Sequence, residues 1–154
     1  METLIKNFYE GLKERDLQKI KSCYHPEVTF TDAAFGTLKA EQVMSMWKML
    51  LRPESDMTLT YEVLQADKDK GLGQWYPIYT FPSTGRKVEN QILSKFKFRD
   101  GLIYIQEDTF NLHTWAKQAI GPLGYILGGT RFFREKFQKQ ARAKLTAFMA
   151  KNKK

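Results

Sequence analysis

The chain has 154 residues, 42% hydrophobic and 27% charged, a composition typical of one globular domain. No run reaches the ~18 consecutive apolar residues of a membrane span and no apolar leader opens the chain, so we expect a cytoplasmic protein. The single cysteine, Cys23, excludes an internal disulfide and favours a reducing compartment. The net charge of +8 lies in residues 114–154, where ten Lys and Arg accompany one acid, so it says nothing about the ligand of the body.

Two helices and a strand are predicted at the start of the chain. Apolar residues recur at helical spacing over about 24 residues, and Asp16 is expected to cap the second helix. Val28 and Phe30 then alternate with threonines, which is the pattern of a half-buried strand. This strand ends at Asp32, where small residues and Gly36 indicate a turn.

A third helix is predicted over residues 39–51, ended by Pro53. In the strands that follow, Pro77 suggests a bulge or a sheet edge, and Asp100-Gly101 is the strongest hairpin signal of the chain. Helices followed by antiparallel strands predict the α+β class. These strands are predicted over residues 58–64, 73–81, 87–98 and 102–112.

Helical patterns return after His113. A short helix over residues 114–120 is expected to stop at Gly121-Pro122, and a longer one to run from Thr130 to about residue 149, with an apolar stripe opposite its basic residues. We expect this stripe to cover the body; a weak contact of the helix with an anionic membrane surface is an alternative. Nucleic acid is not expected, because no base-reading module is recognised.

The order of elements and the strings "YHPEVTFTDAAFG", "MW" and "FKFRDGLI" resemble the nuclear transport factor 2-like superfamily, above all its SnoaL-like and ketosteroid-isomerase-like branch. The resemblance covers residues 1–112 and leaves 113–154 as a basic helical extension packed on the same domain. It implies a cystatin-like α+β roll, in which a cone-shaped curved antiparallel sheet and N-terminal helices enclose an apolar pocket. It also implies a homodimer through the sheet. Because members include isomerases, cyclases, epoxide hydrolases and non-enzymes, a pocket is implied more firmly than a reaction.

Asp32 is the first candidate for a catalytic residue. Burial among Phe30 and Phe35 would raise its pKa and suit it to act as a general base, whereas the alternative is an aspartate that caps a turn. The resemblance places the base of ketosteroid isomerase at Asp32, its oxyanion tyrosine at Phe8 and its oxyanion aspartate at Ser94. Both oxyanion donors are missing, so we do not expect steroid isomerisation.

Asp108 is the second candidate. The resemblance directs Gln106, Asp108 and Phe110 into the cone, where Asp108 and Asp32 would form a carboxylate pair that raises one pKa. The alternative is an outward, solvated Asp108. Asn90 is predicted to point inward and to position a water molecule or a carbonyl oxygen.

Aromatic side chains are expected to line the pocket, although such stripes more often form core. Together with Asp32, Asp108 and Asn90, Tyr79 could supply the water-activating set of family epoxide hydrolases, but no arginine is evident for charge balance. We expect no metal and no cofactor, because the two histidines lie far apart and no phosphate-binding loop is present. The residues predicted to contact a ligand are Phe8, Trp47, Trp75, Tyr79, Gln106, Phe110 and His113.

The sequence therefore predicts a pocket protein that binds a small, largely apolar molecule. If it is an enzyme, an aspartate base would serve an isomerase, a cyclase or a hydrolase. One alternative is a non-catalytic binding module with the same cavity. Another is a protein-interaction module, which would be favoured if Trp47 and Trp75 plugged the cavity.

Overall fold

The computed structural model describes residues 1–153 as six helices and seven strands. None of the helices in this range is long and apolar enough to span a bilayer. Asp16 caps the second helix as predicted, its carboxylate accepting from the Gln18 and Lys19 amides. The elements are α1 (Glu2–Glu14), α2 (Leu17–Cys23), β1 (Tyr24–Asp32), β2 (Gly36–Lys39), α3 (Ala40–Leu50), β3 (Thr58–Ala66), β4 (Lys70–Phe81), β5 (Arg86–Glu89), β6 (Ile92–Arg99), β7 (Leu102–Thr109), α4 (Leu112–Ala119), α5 (Pro122–Leu127) and α6 (Arg131–Asn152).

The strands form one curved, unclosed sheet in the order β2-β1-β7-β6-β4-β3, with β5 beside β4. All pairs are antiparallel except β1 and β7, which run parallel. The predicted α+β roll is therefore confirmed, with one parallel pair that the sequence pattern did not indicate. The predicted Asp100-Gly101 turn joins β6 to β7, and both residues have a positive φ, of 53° and 75°.

Pro77 explains why the predicted strand over residues 87–98 appears as two strands. β5 and β6 pair with β4 in one common register on either side of Asn90. The Asn90 amide donates to the Pro77 carbonyl (3.0 Å), but Pro77 has no N–H to donate in return. On its other side Pro77 pairs with Leu59 without a register shift, so the expected bulge or edge is wrong and the ladder is only interrupted.

The interior of the cone is packed with aromatic rings. The buried face of α1 places Phe8 against Trp47, with ring centroids 5.9 Å apart, and Trp47 against Trp75 at 6.2 Å. Gly73 admits the Tyr9 ring, because a Cβ at this position would overlap the Tyr9 hydroxyl. Much of the space in which the sequence predicts a deep pocket is therefore filled by side chains.

The C-terminal helices cover one end of this body. The predicted last strand ends earlier than expected, at Thr109, because Asn111 caps α4 through the Thr114 amide. The short helix stops before Gly121-Pro122 as predicted, since α4 ends at Ala119. Pro122 then begins α5, which the sequence pattern did not predict, because proline is tolerated in a first helical turn. Along α6, Leu145 is buried in the main core, and Phe133 and Phe137 pack in the smaller cluster that includes Trp115. The apolar stripe of α6 thus lies against the body.

Candidate functional site

The parallel pairing of β1 with β7 brings Asp32 and Asp108 together. Thr31 is the partner of Glu107 in this pairing, so the next residue on each strand, Asp32 and Asp108, lie side by side. Neighbouring strands are about 4.8 Å apart, and residues at matching positions of a parallel pair share a face. Two carboxylates separated by 76 positions in the sequence therefore meet at one end of the sheet.

Both aspartates line a hollow of about 340 Å³ between the ends of β1 and β7 and the start of α6. This volume lies near the lower end of the ~300–1,000 Å³ that small-molecule pockets occupy. A second hollow, of about 270 Å³, lies over β4 and β6 and includes neither aspartate, so we take the first as the candidate site. The first is lined by Thr31, Asp32, Ala33, Glu107, Asp108, Thr109, Phe110, Leu112 and Arg134.

Asp108 is buried, with only 4% of its surface exposed. Its Oδ1 accepts a hydrogen bond from Gln106 Nε2 (2.9 Å), and its Oδ2 accepts one from Trp75 Nε1 (3.3 Å). The Ser94 hydroxyl, opposite on β6, lies close enough to stabilise the carboxylate but forms no well-aligned hydrogen bond within the described residues. Burial raises the pKa of Asp108 to about 6, and these polar neighbours oppose the rise.

A chain of buried donors leads to Asp108 from the far side of the core. Trp47 Nε1 donates to the Tyr24 hydroxyl (3.0 Å), which donates to Gln106 Oε1 (2.7 Å). This bond fixes the Gln106 amide so that its nitrogen faces Asp108. Because each donor in a chain polarises the next, the relay strengthens the bond that reaches the carboxylate.

Asp32 is partly buried at the end of β1. Its Oδ1 accepts a hydrogen bond from the Phe35 amide (2.7 Å), so the side chain closes the hairpin turn and also lines the hollow. Burial raises the pKa of Asp32 to about 7, and the charge of Asp108 adds to the rise, while the amides of Phe35 and Ala34 oppose it. The turn-capping and pocket-lining interpretations of Asp32 therefore apply to the same residue.

The other predicted site residues are spread over three places. Phe110 lines the hollow. Gln106 donates a hydrogen bond to Asp108, which lines the hollow as well. Phe8, Trp47 and Trp75 belong to the packed core, where only Trp75 touches a candidate catalytic group.

The remaining three predicted residues are not brought to the aspartates. Asn90 lies opposite Pro77 in the interruption between β5 and β6, and its Oδ1 accepts from the Gln91 amide. Tyr79 accepts a hydrogen bond from Trp115 Nε1 (2.7 Å) in a separate apolar cluster. His113 Nε2 is hydrogen-bonded to the Tyr125 carbonyl oxygen (2.8 Å). Of the predicted Asp, Asn and Tyr set, the structure thus brings together only the two aspartates.

Sequence reasoning missed Arg134 and Tyr24. Arg134 lines the hollow from α6, although no arginine for charge balance was evident in the sequence. It belongs to the basic face of a helix beyond the expected domain, so no local pattern joins it to Asp32. Tyr24 stands at the junction of α2 and β1, and only the fold brings it to Gln106, 82 positions later.

The comparisons with known proteins agree with this architecture. The model of the SnoaL-like domain family matches residues 5–105, about two thirds of the chain. The chain belongs to this family. The match ends before Glu107, Asp108 and Arg134, so three of the four charged residues that line the hollow lie outside the matched SnoaL-like residues. No relative was found among curated proteins.

Solved structures share the SnoaL-like fold at low sequence identity. An LEH-like epoxide hydrolase of M. tuberculosis is 12% identical, with a TM-score of 0.62, over 84% of this chain and 96% of that one. A candidate polyketide cyclase from Silicibacter sp. TM1040 is 17% identical (TM-score 0.67; 76% and 93%). A Catenulispora acidiphila protein with a ketosteroid isomerase-like fold, in complex with trimethylamine, is 14% identical (TM-score 0.64; 77% and 93%). At these identities the likeness establishes the fold alone.

Proposed function

We propose that the hollow binds a small, largely apolar molecule and that Asp32 acts on it as a general base. The observation that carries the proposal is the pair of adjacent carboxylates, each with a raised pKa, in one hollow that also includes Phe110 and Leu112. Adjacent carboxylates share a proton near neutral pH, because the negative charge of one disfavours ionisation of the other. Such a pair holds both a base and an acid at neutral pH.

The geometry supports separate roles for the two aspartates. Asp32 is the more exposed, and only one of its oxygens is tied to the turn, so it is the group that would meet a C–H bond or a water molecule. Asp108 is held on both oxygens and has the lower pKa of the two, so it would carry the negative charge of the pair while Asp32 exchanges the proton. Arg134 would stabilise negative charge that develops on an oxygen of the bound molecule. These roles suit an isomerase or cyclase, or a hydrolase that activates water.

A non-catalytic binding module is the second candidate function. It is favoured by the aromatic packing of Trp47 against Trp75, which leaves only a small hollow at one end of the cone. It is also favoured by the bond from the Phe35 amide, which occupies one oxygen of the proposed base.

A probe reaction can test the base without knowledge of the natural substrate. The small heteroaromatic 5-nitrobenzisoxazole opens when a base removes the C–H proton of its isoxazole ring and the N–O bond breaks, and a desolvated carboxylate accelerates this step. We expect the full-length protein to catalyse the opening, with a rate that rises as the pH passes about 7, the pKa of Asp32. Because a positioned base contributes roughly 100-fold or more, Asp32→Asn should remove at least that factor.

The controls separate the roles of the two carboxylates. Asp108→Asn should keep activity but shift the midpoint of the pH profile downward, because the charge that helps to raise the pKa of Asp32 is gone. Asp69→Asn, in the exposed turn between β3 and β4, should change neither quantity. Full activity of D32N would overturn the assignment of the base. Saturable binding of the probe without turnover would favour the binding module.

A further inference from the structure

Helix α5 docks on the body through glycines instead of large side chains. Gly124 is buried against α4, where a Cβ would overlap the Ala116 carbonyl. Gly128 is also buried, and a Cβ there would lie 2.7 Å from the Ala116 side chain and 3.1 Å from the His113 ring. Close approach of the two backbones therefore requires glycine on the inner side of α5.

The outer side of α5 and the start of α6 carry large apolar side chains in water. We call this group the apolar tip; it consists of Leu123, Tyr125, Ile126 and Phe132, which are 58%, 65%, 70% and 68% exposed. A helix that covers a protein body normally turns such residues inward. Four neighbouring large apolar side chains on a protein surface mark an interaction site.

The tip is held in place by polar contacts and is not a loose loop. His113 Nε2 bonds to the Tyr125 carbonyl (2.8 Å), which fixes the middle of α5 to α4. The Thr130 hydroxyl donates to the Leu127 carbonyl (2.6 Å) and accepts from the Phe133 amide (3.1 Å), so one residue ends α5 and caps α6. These hydrogen bonds therefore fix the backbone that carries the apolar side chains of the tip.

Basic residues precede and follow the tip along the chain, and one of them, Arg131, also pairs with Glu135 (2.8 Å). Lys117 lies over the Tyr125 ring, with Nζ 5.1 Å from the centroid. Arg131, Arg134 and Lys136 follow on the exposed side of α6. Residues 117–136 contain four basic side chains and one acid, a net charge of +3. Aromatic and aliphatic side chains ringed by Lys and Arg match the interface of an anionic bilayer, where acyl chains lie beneath negative headgroups.

We propose that the apolar tip docks this protein on membranes that contain anionic phospholipids. The tip enters the headgroup region while the basic residues contact the lipid charges. This use differs from the contact expected for the apolar stripe of α6, which is occupied by packing on the body. Arg134 lines the hollow and follows Phe132 by two residues on α6, so the candidate site would lie near the docked surface, where apolar molecules partition. The proposal does not depend on any reaction in the hollow.

Vesicle co-sedimentation of the full-length protein tests the docking. The probes are vesicles of phosphatidylcholine alone and of phosphatidylcholine mixed with phosphatidylserine. We expect binding to the mixed vesicles, weakened at high salt and weak on the neutral ones. The variant Ile126→Ser/Phe132→Ser should weaken partition by at least about tenfold for each side chain removed from the apolar layer. Arg131→Gln/Lys136→Gln should weaken it by roughly fivefold for each charge.

The matched control is Leu64→Ser, which removes a 46% exposed leucine from β3, outside the tip. It should bind the mixed vesicles as the wild type does, and circular dichroism of every variant should match that of the wild type. Equal binding to neutral and mixed vesicles, or equal loss in L64S, would overturn the proposal. So would a wild-type dimer, seen by analytical ultracentrifugation, that I126S/F132S dissociates, because the tip would then contact a second copy of the chain.

Discussion

Replacing Asp108 with asparagine tests whether burial of this carboxylate reduces the stability of the protein at neutral pH. Below about pH 4 the carboxyl is protonated in both the folded and the unfolded chain and carries no penalty. Because burial raises the pKa of Asp108 in the folded state, the folded protein keeps this proton at pH values at which the unfolded chain has already lost it. The free energy of unfolding contributed by Asp108 therefore falls through its folded pKa of about 6.

The size of this fall follows from the two pKa values. A carboxyl that moves from 3.8 in the unfolded chain to about 6 in the folded protein lowers the free energy of unfolding by about 3 kcal/mol when fully ionised. Asparagine does not ionise, but its amide cannot accept hydrogen bonds from both Gln106 and Trp75. The unmatched donor costs about 1–3 kcal/mol at every pH. The variant should thus be the less stable protein at about pH 4 and recover against the wild type at about pH 8.

Urea unfolding of the wild type and D108N at several pH values measures this difference. We expect the stability of the variant relative to the wild type to rise by about 2–3 kcal/mol between about pH 4 and pH 8. The control is Asp69→Asn, which removes a carboxylate from the exposed turn between β3 and β4 and should give no such rise. A difference for D108N that does not change with pH would refute the argument that burial raises this pKa.

Two further substitutions probe the packing around the site. Tyr24→Phe leaves Trp47 Nε1 and Gln106 Oε1 without their partner, so we expect a loss of about 2–5 kcal/mol in urea unfolding; a loss below about 0.5 kcal/mol would exclude the relay as a stabilising chain. Gly124→Ala drives a methyl group into the Ala116 carbonyl, so amide hydrogen exchange should become faster in α5 and remain unchanged in the sheet. Unchanged protection of α5 would contradict the glycine-mediated docking.

Local patterns predicted most of the elements correctly. The alternation of β1, the Asp16 cap and the Asp100-Gly101 turn each depend on residues within a few positions of one another. The resemblance to SnoaL-like proteins is likewise confirmed by the family match and by the solved structures. The helix end at Gly121-Pro122 was predicted correctly, but α5, which begins at Pro122, was not predicted. Asn111 was placed in a strand although it caps α4.

The candidate site was predictable only in part. The alternation of β7 placed Gln106 and Asp108 on one face, and both are buried in the structure. Asn90 was also predicted to point inward. Pro77, which lies opposite it and has no N–H, interrupts the ladder there. Arg134 reaches the hollow because α6 folds back over the body, and no short-range pattern encodes that return.

The sequence by itself determined most of the helices and strands, though not β2 or α5, and which face of most of them points inward, because hydrophobic periodicity, caps and turns act over a few residues. The tertiary structure alone decided that β1 pairs with β7, that aromatic rings occupy the cone, and that α5 turns its apolar side chains to water. These outcomes depend on contacts between positions far apart in the chain. Asp32 thus acquires its carboxylate neighbour only when the two parallel strands meet.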